Sequence, residues 1–64
     1  MCEARVIVEA ADGSEVETID DVTTIVPEDG FLKLYDLYGG HRTVKAILKE
    51  VRLLDHTVVL SSTT

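Results

Sequence analysis

The sequence predicts a small all-β domain, folded as a highly curved antiparallel sheet or a partly open barrel. Three observations favour this class. Apolar and polar residues alternate over residues 3–10, as they do in a strand with one buried side. Residues 22–26 are all β-branched, which favours strand over helix. Turn signals recur near residues 12, 29, 39 and 55, and such regular spacing is typical of small barrels.

The first half of the chain predicts a hairpin and a further strand. Strand 3–10 places its alternate apolar residues on one face and ends at the turn 11–14, where Asp12-Gly13 supplies the positive φ of a tight hairpin. Residues 15–19 resume an irregular alternation that the acidic pair 20–21 interrupts. The β-branched strand 22–26 then ends at the turn 27–30, which opens with Pro and closes with Gly.

The second half contains one segment that periodicity leaves open. Residues 31–38 predict a strand that ends at Gly39-Gly40. Over residues 43–54 the apolar positions recur at intervals of three and four, which is the spacing of an amphipathic helix, yet two strands joined at Asp55-His56 fit equally well. Residues 57–60 predict a strand, and 61–64 a frayed polar tail.

Length and composition set the class of protein. The 64 residues make one domain, 1–64, near the lower size limit for a single core. A hydrophobic share of 45% is too high for a disordered chain. No apolar run is long enough for a membrane span and no signal peptide is apparent, so we expect a reduced, cytoplasmic setting. A single Cys closes no intrachain disulfide, which leaves a metal, self-association or very good packing as the source of stability.

Charge is divided unequally between the two halves. Residues 1–30 carry nine acids and one base, a charge of −8, whereas residues 31–64 carry three acids and five bases, a charge of +2. The acidic half is a candidate contact surface for a partner protein. The net charge of −6 opposes nonspecific binding to a polyanion.

Motifs for catalysis are absent from the sequence. It contains no nucleophile elbow, no Gly-rich phosphate loop and no His-x-x-x-His, so we expect no enzymatic activity. RNA binding is the alternative, because small barrels stack bases on aromatic side chains beside basic ones. Phe31, Lys33, Tyr35 and Tyr38 are the candidates, with Phe31 and Tyr35 on one face of their strand.

Metal binding is the hypothesis that the position of the cysteine supports. Cys2 stands next to the initiator Met1, and removal of Met1 would let the α-amine and the thiolate form a five-membered chelate. Nitrogen and sulfur donors of this kind suit Ni(II) or copper. One Cys is too few for a closed site, but a two-fold dimer would bring two copies of it together. His41 and His56 are further candidate ligands, although they form no spacing motif.

Three segments of the chain resemble a known family. Residues 1–6 read MCEARV, residues 17–22 read ETIDDV, and residues 47–60 read ILKEVRLLDHTVVL. Together they resemble the CooT family of small nickel-binding proteins, associated with maturation of nickel carbon monoxide dehydrogenase. The resemblance extends from about Cys2 to Leu60.

The resemblance implies an all-β homodimer that binds Ni(II) through the cysteine at position two, here Cys2. It implies an accessory protein that delivers or stores nickel, with the nickel enzyme or its maturation factors as partners. Members of the family are also labelled RNA-binding, which keeps that alternative open. The resemblance favours strand over helix for 43–54. It also puts a local bulge in doubt at Ala46, where relatives often carry Gly.

Overall fold

A computed structural model describes residues 3–64 of the chain. It consists of one six-stranded sheet with the strand order β4-β3-β2-β1-β6-β5. The strands are β1 (Ala4–Glu9), β2 (Glu15–Glu28), β3 (Phe31–Asp36), β4 (His41–Val44), β5 (Ala46–Arg52) and β6 (Thr57–Ser62), with a 3₁₀ turn at Leu53–Asp55. Among these elements there is no helix long and apolar enough to cross a membrane.

The all-β class is confirmed, and the sheet is curled without closing into a barrel. β4 and β5 are its two edges, although β3 and β5 approach each other across the concave side. Four of the five strand pairs are antiparallel. The exception is the pair β1–β6, which is parallel, so the sheet is mixed.

The core lies on the concave face of the sheet. Strand alternation sends every second side chain to this face. On β1 these are Val6 and Val8, and on β3 they are Leu32 and Leu34. The buried cluster consists of Val6, Val8, Val22, Leu32, Leu34, Ala46 and Leu60. The predicted alternation in the first strand therefore places the core correctly.

β2 is longer than the sequence predicts. It continues through the acidic pair Asp20-Asp21 and through Pro27 to Glu28, so only Asp29 and Gly30 remain as the turn. The acidic pair does not end the strand because it forms a β-bulge. Ala4 pairs with Val22 while Val6 pairs with Ile19, which leaves one extra residue on β2.

β3 ends at Asp36, two residues before the predicted end, because the carboxylate of Asp36 organises the next turn. Its Oδ1 accepts hydrogen bonds from the backbone amides of Tyr38 at 2.8 Å and Gly40 at 2.9 Å. Gly40 suits this turn, since a Cβ at that position would lie 2.8 Å from Oδ2 of Asp36.

The segment that periodicity left open is formed by strands. β5 carries a bulge between Leu48 and Glu50, so its concave positions are Ala46, Leu48 and Val51. The bulge inserts one residue into the alternation and thereby imitates the three-residue spacing of a helix. Ala46 is buried in the core and lies outside this bulge.

The predicted frayed tail is shorter than expected. β6 continues through Ser61 and Ser62, which pair with Ile47 and Ala46 of β5. The backbone amide of Thr63 also donates a hydrogen bond to the carbonyl oxygen of Lys45 at 3.0 Å.

Candidate functional site

The predicted metal ligand Cys2 lies outside the described residues. The structure describes the chain from Glu3 onward. β1 starts at Ala4 in the interior of the sheet, between β2 and β6. Ala4 pairs with Val22 of β2, and Arg5 pairs with Thr57 of β6. The start of β1 is therefore flanked by a strand on each side.

An open cleft of about 300 Å³ lies where β1 begins. We call it the N-terminal cleft. Its lining residues are Glu3, Ala4, Arg5, Asp20, Asp21, Asp55, His56 and Thr57. They come from the start of β1, the bulge of β2 and the turn that leads into β6. The lining thus includes four acidic residues and one histidine.

The backbone is distorted on both sides of this cleft. Asp21 has a φ of 61° and His56 a φ of 50°, values that side chains larger than glycine adopt only at a cost. Within residues 3–64, the other positive φ angles belong to Gly13, Gly30 and Gly39, which lie in turns. Strain of this kind clusters at functional sites more often than elsewhere.

Hydrogen bonds fix both distorted residues. The amide of Arg5 donates to the carbonyl oxygen of His56 at 2.8 Å, and the amide of Leu37 donates to that of Asp21 at 2.9 Å. The hydroxyl of Tyr38 donates to Oδ2 of Asp21 at 3.1 Å. This bond and the charge of Asp21 raise the pKa of Tyr38 above its ordinary value of 10.0.

Arg5 neutralises part of the acidic lining. Its Nε lies 2.9 Å from Oδ1 of Asp20, and both side chains are exposed. The hydrogen bond from Arg5 and the charge of Asp20 raise the pKa of the guanidinium. A surface ion pair of this kind adds little stability. Among residues 3–64, the other acids of the lining, Glu3, Asp21 and Asp55, form no ion pair.

Glu3 is the residue whose environment points most directly to a ligand. Its Oε2 is buried and has no hydrogen-bond partner among residues 3–64. A buried polar atom without a partner is rare and costly, and its presence calls for an ion, a water or another group nearby. The atom belongs to the first residue that the structure describes.

The described residues alone do not make a metal site. Within residues 3–64, no three His, Asp or Glu side chains lie close enough together to hold a metal ion. His56 lines the N-terminal cleft, whereas His41 lies on β4 with its ring centre 5.8 Å from that of Tyr35. The structure therefore places His56 in the same cleft as Glu3 and His41 in a different setting.

The residues proposed for RNA binding lie on the convex face. Phe31, Lys33 and Tyr35 alternate with the buried leucines of β3, so the prediction that Phe31 and Tyr35 share a face is confirmed. The Nζ of Lys33 lies 5.4 Å from the ring centre of Tyr35. Tyr38 lies in the following turn, where its hydroxyl faces Asp21, so the structure does not bring it into this group.

Sequence reasoning did not single out Glu3 or the bulge at Asp20-Asp21. The acidic pair inside a β-branched stretch was the available signal for the bulge, because neither residue favours a regular strand. The sequence does not distinguish Glu3, since a single acid at the start of a strand is ordinary. Its neighbours in the cleft include Asp55 and His56, which are about fifty positions away in the chain.

Comparison with known proteins identifies a family and relatives of the same fold. Residues 1–61 match the family model described as CO dehydrogenase accessory protein CooT. No match is found among curated proteins. A crystal structure assigned to CooT of Carboxydothermus hydrogenoformans has a TM-score of 0.79 and 23% sequence identity, and the match covers 98% of this chain and 100% of that one. At this identity the structural match shows a shared fold.

Proposed function

The chain belongs to the CooT family of carbon monoxide dehydrogenase accessory proteins, and on that premise we propose that it binds Ni(II) through Cys2 at the two-fold axis of a homodimer. The nickel is cargo, held for delivery or storage during maturation of the enzyme. The family description supports the accessory role, and carbon monoxide dehydrogenase is a nickel enzyme.

The observation that carries the metal proposal is the Oε2 of Glu3, which is buried and has no hydrogen-bond partner among residues 3–64. A cation held by Cys2 would relieve the cost of this buried oxygen, because the two residues are adjacent in the chain. The acids around the N-terminal cleft attract a divalent cation, and His56 offers a nitrogen donor of the kind that Ni(II) accepts. The donor set therefore fits nickel, with the thiolate of Cys2 as its strongest member.

A homodimer is part of the proposal because one copy has too few donors. The chain has a single Cys, and the described residues contain no ready cluster of three ligands. A two-fold axis beside the N-terminal cleft would supply the second thiolate from the equivalent residue of the partner copy. One nickel ion would then be bound for every two chains.

The proposed role is that of a carrier without catalysis of its own, acting in the cytoplasm. Its partner would be the nickel enzyme or a maturation factor. The acidic first half of the chain supports a contact surface for such a partner, because Asp12 and Glu15 lie exposed at the β1–β2 hairpin and are not needed for the core. Electrostatic attraction of this kind acts chiefly on the association rate.

Titration of Cys2→Ser with nickel tests the metal proposal. We expect the affinity for Ni(II) to fall at least about a hundredfold, since even the loss of a group that only orients a ligand costs tenfold to a hundredfold. The thiolate-to-nickel charge-transfer absorbance should disappear as well. Far-UV circular dichroism should be unchanged, because Cys2 precedes the first strand. Glu3→Gln is the companion variant and should weaken binding while keeping the thiolate absorbance. Unchanged nickel affinity in Cys2→Ser would show that the assignment is wrong.

RNA binding remains the second candidate function, supported by the group formed by Lys33, Tyr35 and His41 on the convex face. Aromatic rings beside a cation are the usual platform for stacked bases. The net charge of −6 works against it. A filter-binding titration at low salt separates the two functions, because the nickel carrier should retain no RNA at micromolar protein concentrations.

A further inference from the structure

The strand β4 is an edge of the sheet with one side open to a further strand. It pairs with β3 in an unbroken register over its whole length, and among residues 3–64 no other strand pairs with it. The opposite edge strand, β5, carries the bulge between Leu48 and Glu50, and a bulge of this kind hinders the addition of a strand. Of the two edges, β4 is therefore the regular one.

The hairpin between β3 and β4 fixes which residues direct their backbone outward. The amide of Asp36 donates to the carbonyl oxygen of Gly40 at 3.0 Å, so Gly40 faces β3. Inward and outward residues alternate along an antiparallel edge. Arg42 therefore faces β3 as well, whereas the amides and carbonyl oxygens of His41 and Thr43 point away from it. These groups are the ones that a further strand would bond.

Positive charge without an ion-pair partner is concentrated around this edge. The chain has six bases, and within residues 3–64 four of them are held in ion pairs with carboxylates. The two that are not are Lys33, which stands on β3 opposite Thr43, and Lys45, which directly follows β4. Asp36, the acid of the same hairpin, accepts hydrogen bonds from amides of the turn. A chain of charge −6 thus presents a locally basic edge.

We propose that the β4 edge binds an extended acidic segment of a partner protein, which joins the sheet as an additional strand. Backbone hydrogen bonds to His41 and Thr43 hold the segment in register, as in other cases of strand addition. Its carboxylates pair with Lys33 and Lys45. Because Thr43 is short, a glutamate beside it can reach the ammonium group of Lys33 on the next strand. This contact uses neither Cys2 nor the N-terminal cleft and is independent of nickel binding.

The character of the edge also decides which occupant it takes. A second copy of β4 would bring bases opposite bases, and like charges that face each other across a ladder are destabilising. RNA offers phosphates and bases, but it has no backbone groups at the spacing of a β-ladder and leaves the outward groups of His41 and Thr43 without partners. An acidic peptide strand satisfies both the charge and the backbone of this edge.

Hydrogen exchange followed by NMR tests the added strand. The probe is a capped peptide in which glutamate and valine alternate. At a peptide concentration about ten times the dissociation constant, the amide protons of His41 and Thr43 should exchange about tenfold more slowly, because they become hydrogen-bonded. The amides of Arg42 and Val44, which already face β3, should change much less. The matched peptide with lysine in place of glutamate should give no protection.

Two variants separate the backbone contribution from the charge. Thr43→Pro removes an outward amide and no bond to β3, a position where an edge strand tolerates proline, and should lower the peptide affinity at least about fivefold with an unchanged far-UV circular dichroism spectrum. Lys33→Gln should lower it about two- to fivefold. The matched control is Lys49→Gln on the opposite edge strand β5, which removes the same charge and should leave the affinity unchanged.

Several results would overturn the inference. They are the absence of chemical-shift changes with millimolar acidic peptide, equal binding of the lysine peptide, and protection confined to β5. A further one is an oligouridylate that shifts the resonances of Lys33 and Tyr35 at lower concentration than the peptide does and leaves the exchange of His41 and Thr43 unchanged, which would favour RNA as the ligand of this face. The nickel titration of Cys2→Ser is unaffected by any of these outcomes.

Discussion

Val6 offers the sharpest test of how the sheet supports the site. Its side chain is completely buried and belongs to the concave cluster, and it lies in β1, two residues after Ala4. Val16 provides the matched control, because it is a valine in the neighbouring strand β2 whose side chain is 62% exposed. Truncation of each to alanine removes the same two methyl groups from opposite environments.

The structure sets the size of the expected difference. Loss of two buried methyl groups costs about 1.6 kcal/mol in transfer free energy, and the cavity left behind raises the total to roughly 2–3 kcal/mol. A domain of 64 residues has a total free energy of unfolding of roughly 3–10 kcal/mol. Val6→Ala should therefore remove a large share of the stability and lower Tm by about 10 °C or more. Val16→Ala should stay within roughly 0.5 kcal/mol of the wild type.

Urea denaturation followed by circular dichroism measures both values. The total protein concentration must be fixed, because dimerisation shifts the apparent stability. The slope of the unfolding free energy with urea concentration should be equal in all three proteins, so that the midpoints report stability alone. A loss of less than 0.5 kcal/mol in Val6→Ala, or an equal loss in both variants, would refute the concave core.

Two further predictions concern the residues around the N-terminal cleft. His56→Gly should stabilise the metal-free protein by up to about 1 kcal/mol, since glycine adopts a φ of 50° without the steric cost, and it should weaken nickel binding if the imidazole is a ligand. Thermal melts test the first part, with Thr57→Gly in the adjoining strand as a destabilising control. Tyr38 should titrate above pH 10.0, because its bond to Asp21 raises its pKa. That bond contributes stability below the ordinary pKa and loses it as pH rises through the raised value. Asp21→Asn should lower the midpoint in an absorbance titration at 295 nm, and equal midpoints would contradict the bond.

The sequence was sufficient for the fold class because local signals agree with the final sheet. Alternation placed Val6 and Val8 on the buried face, and Asp12-Gly13 marked the first hairpin. The parallel pairing of β1 with β6 had no local signal, since it joins residues about fifty positions apart. Likewise, the spacing in β5 resembled a helix because the bulge after Leu48 shifts the alternation by one residue.

The site could be predicted only in part. The position of Cys2 in the chain and the family resemblance were readable from the sequence. The proximity of His56 to Glu3 could not be predicted from the sequence. It depends on the parallel pairing of β1 with β6, for which the sequence contains no local signal. The solvent exposure of Leu53 and Leu54 could not be predicted either. An apolar pair beside a predicted strand is normally expected to be part of the core.

Two of the irregular features of the sheet, the bulge at Asp20-Asp21 and the left-handed residue His56, flank the start of β1. On the side of β6, the parallel ladder with β1 begins only at the pair Arg5–Thr57. On the side of β2, the bulge at Asp20-Asp21 shifts the register with β1 by one residue between Ala4 and Val6. On the other side, the left-handed residue His56 delays the start of β6 until Thr57. Each distortion costs stability that a small domain has little of. In the proposed function these distortions are offset when a cation binds beside Glu3, whose Oε2 has no hydrogen-bond partner among residues 3–64.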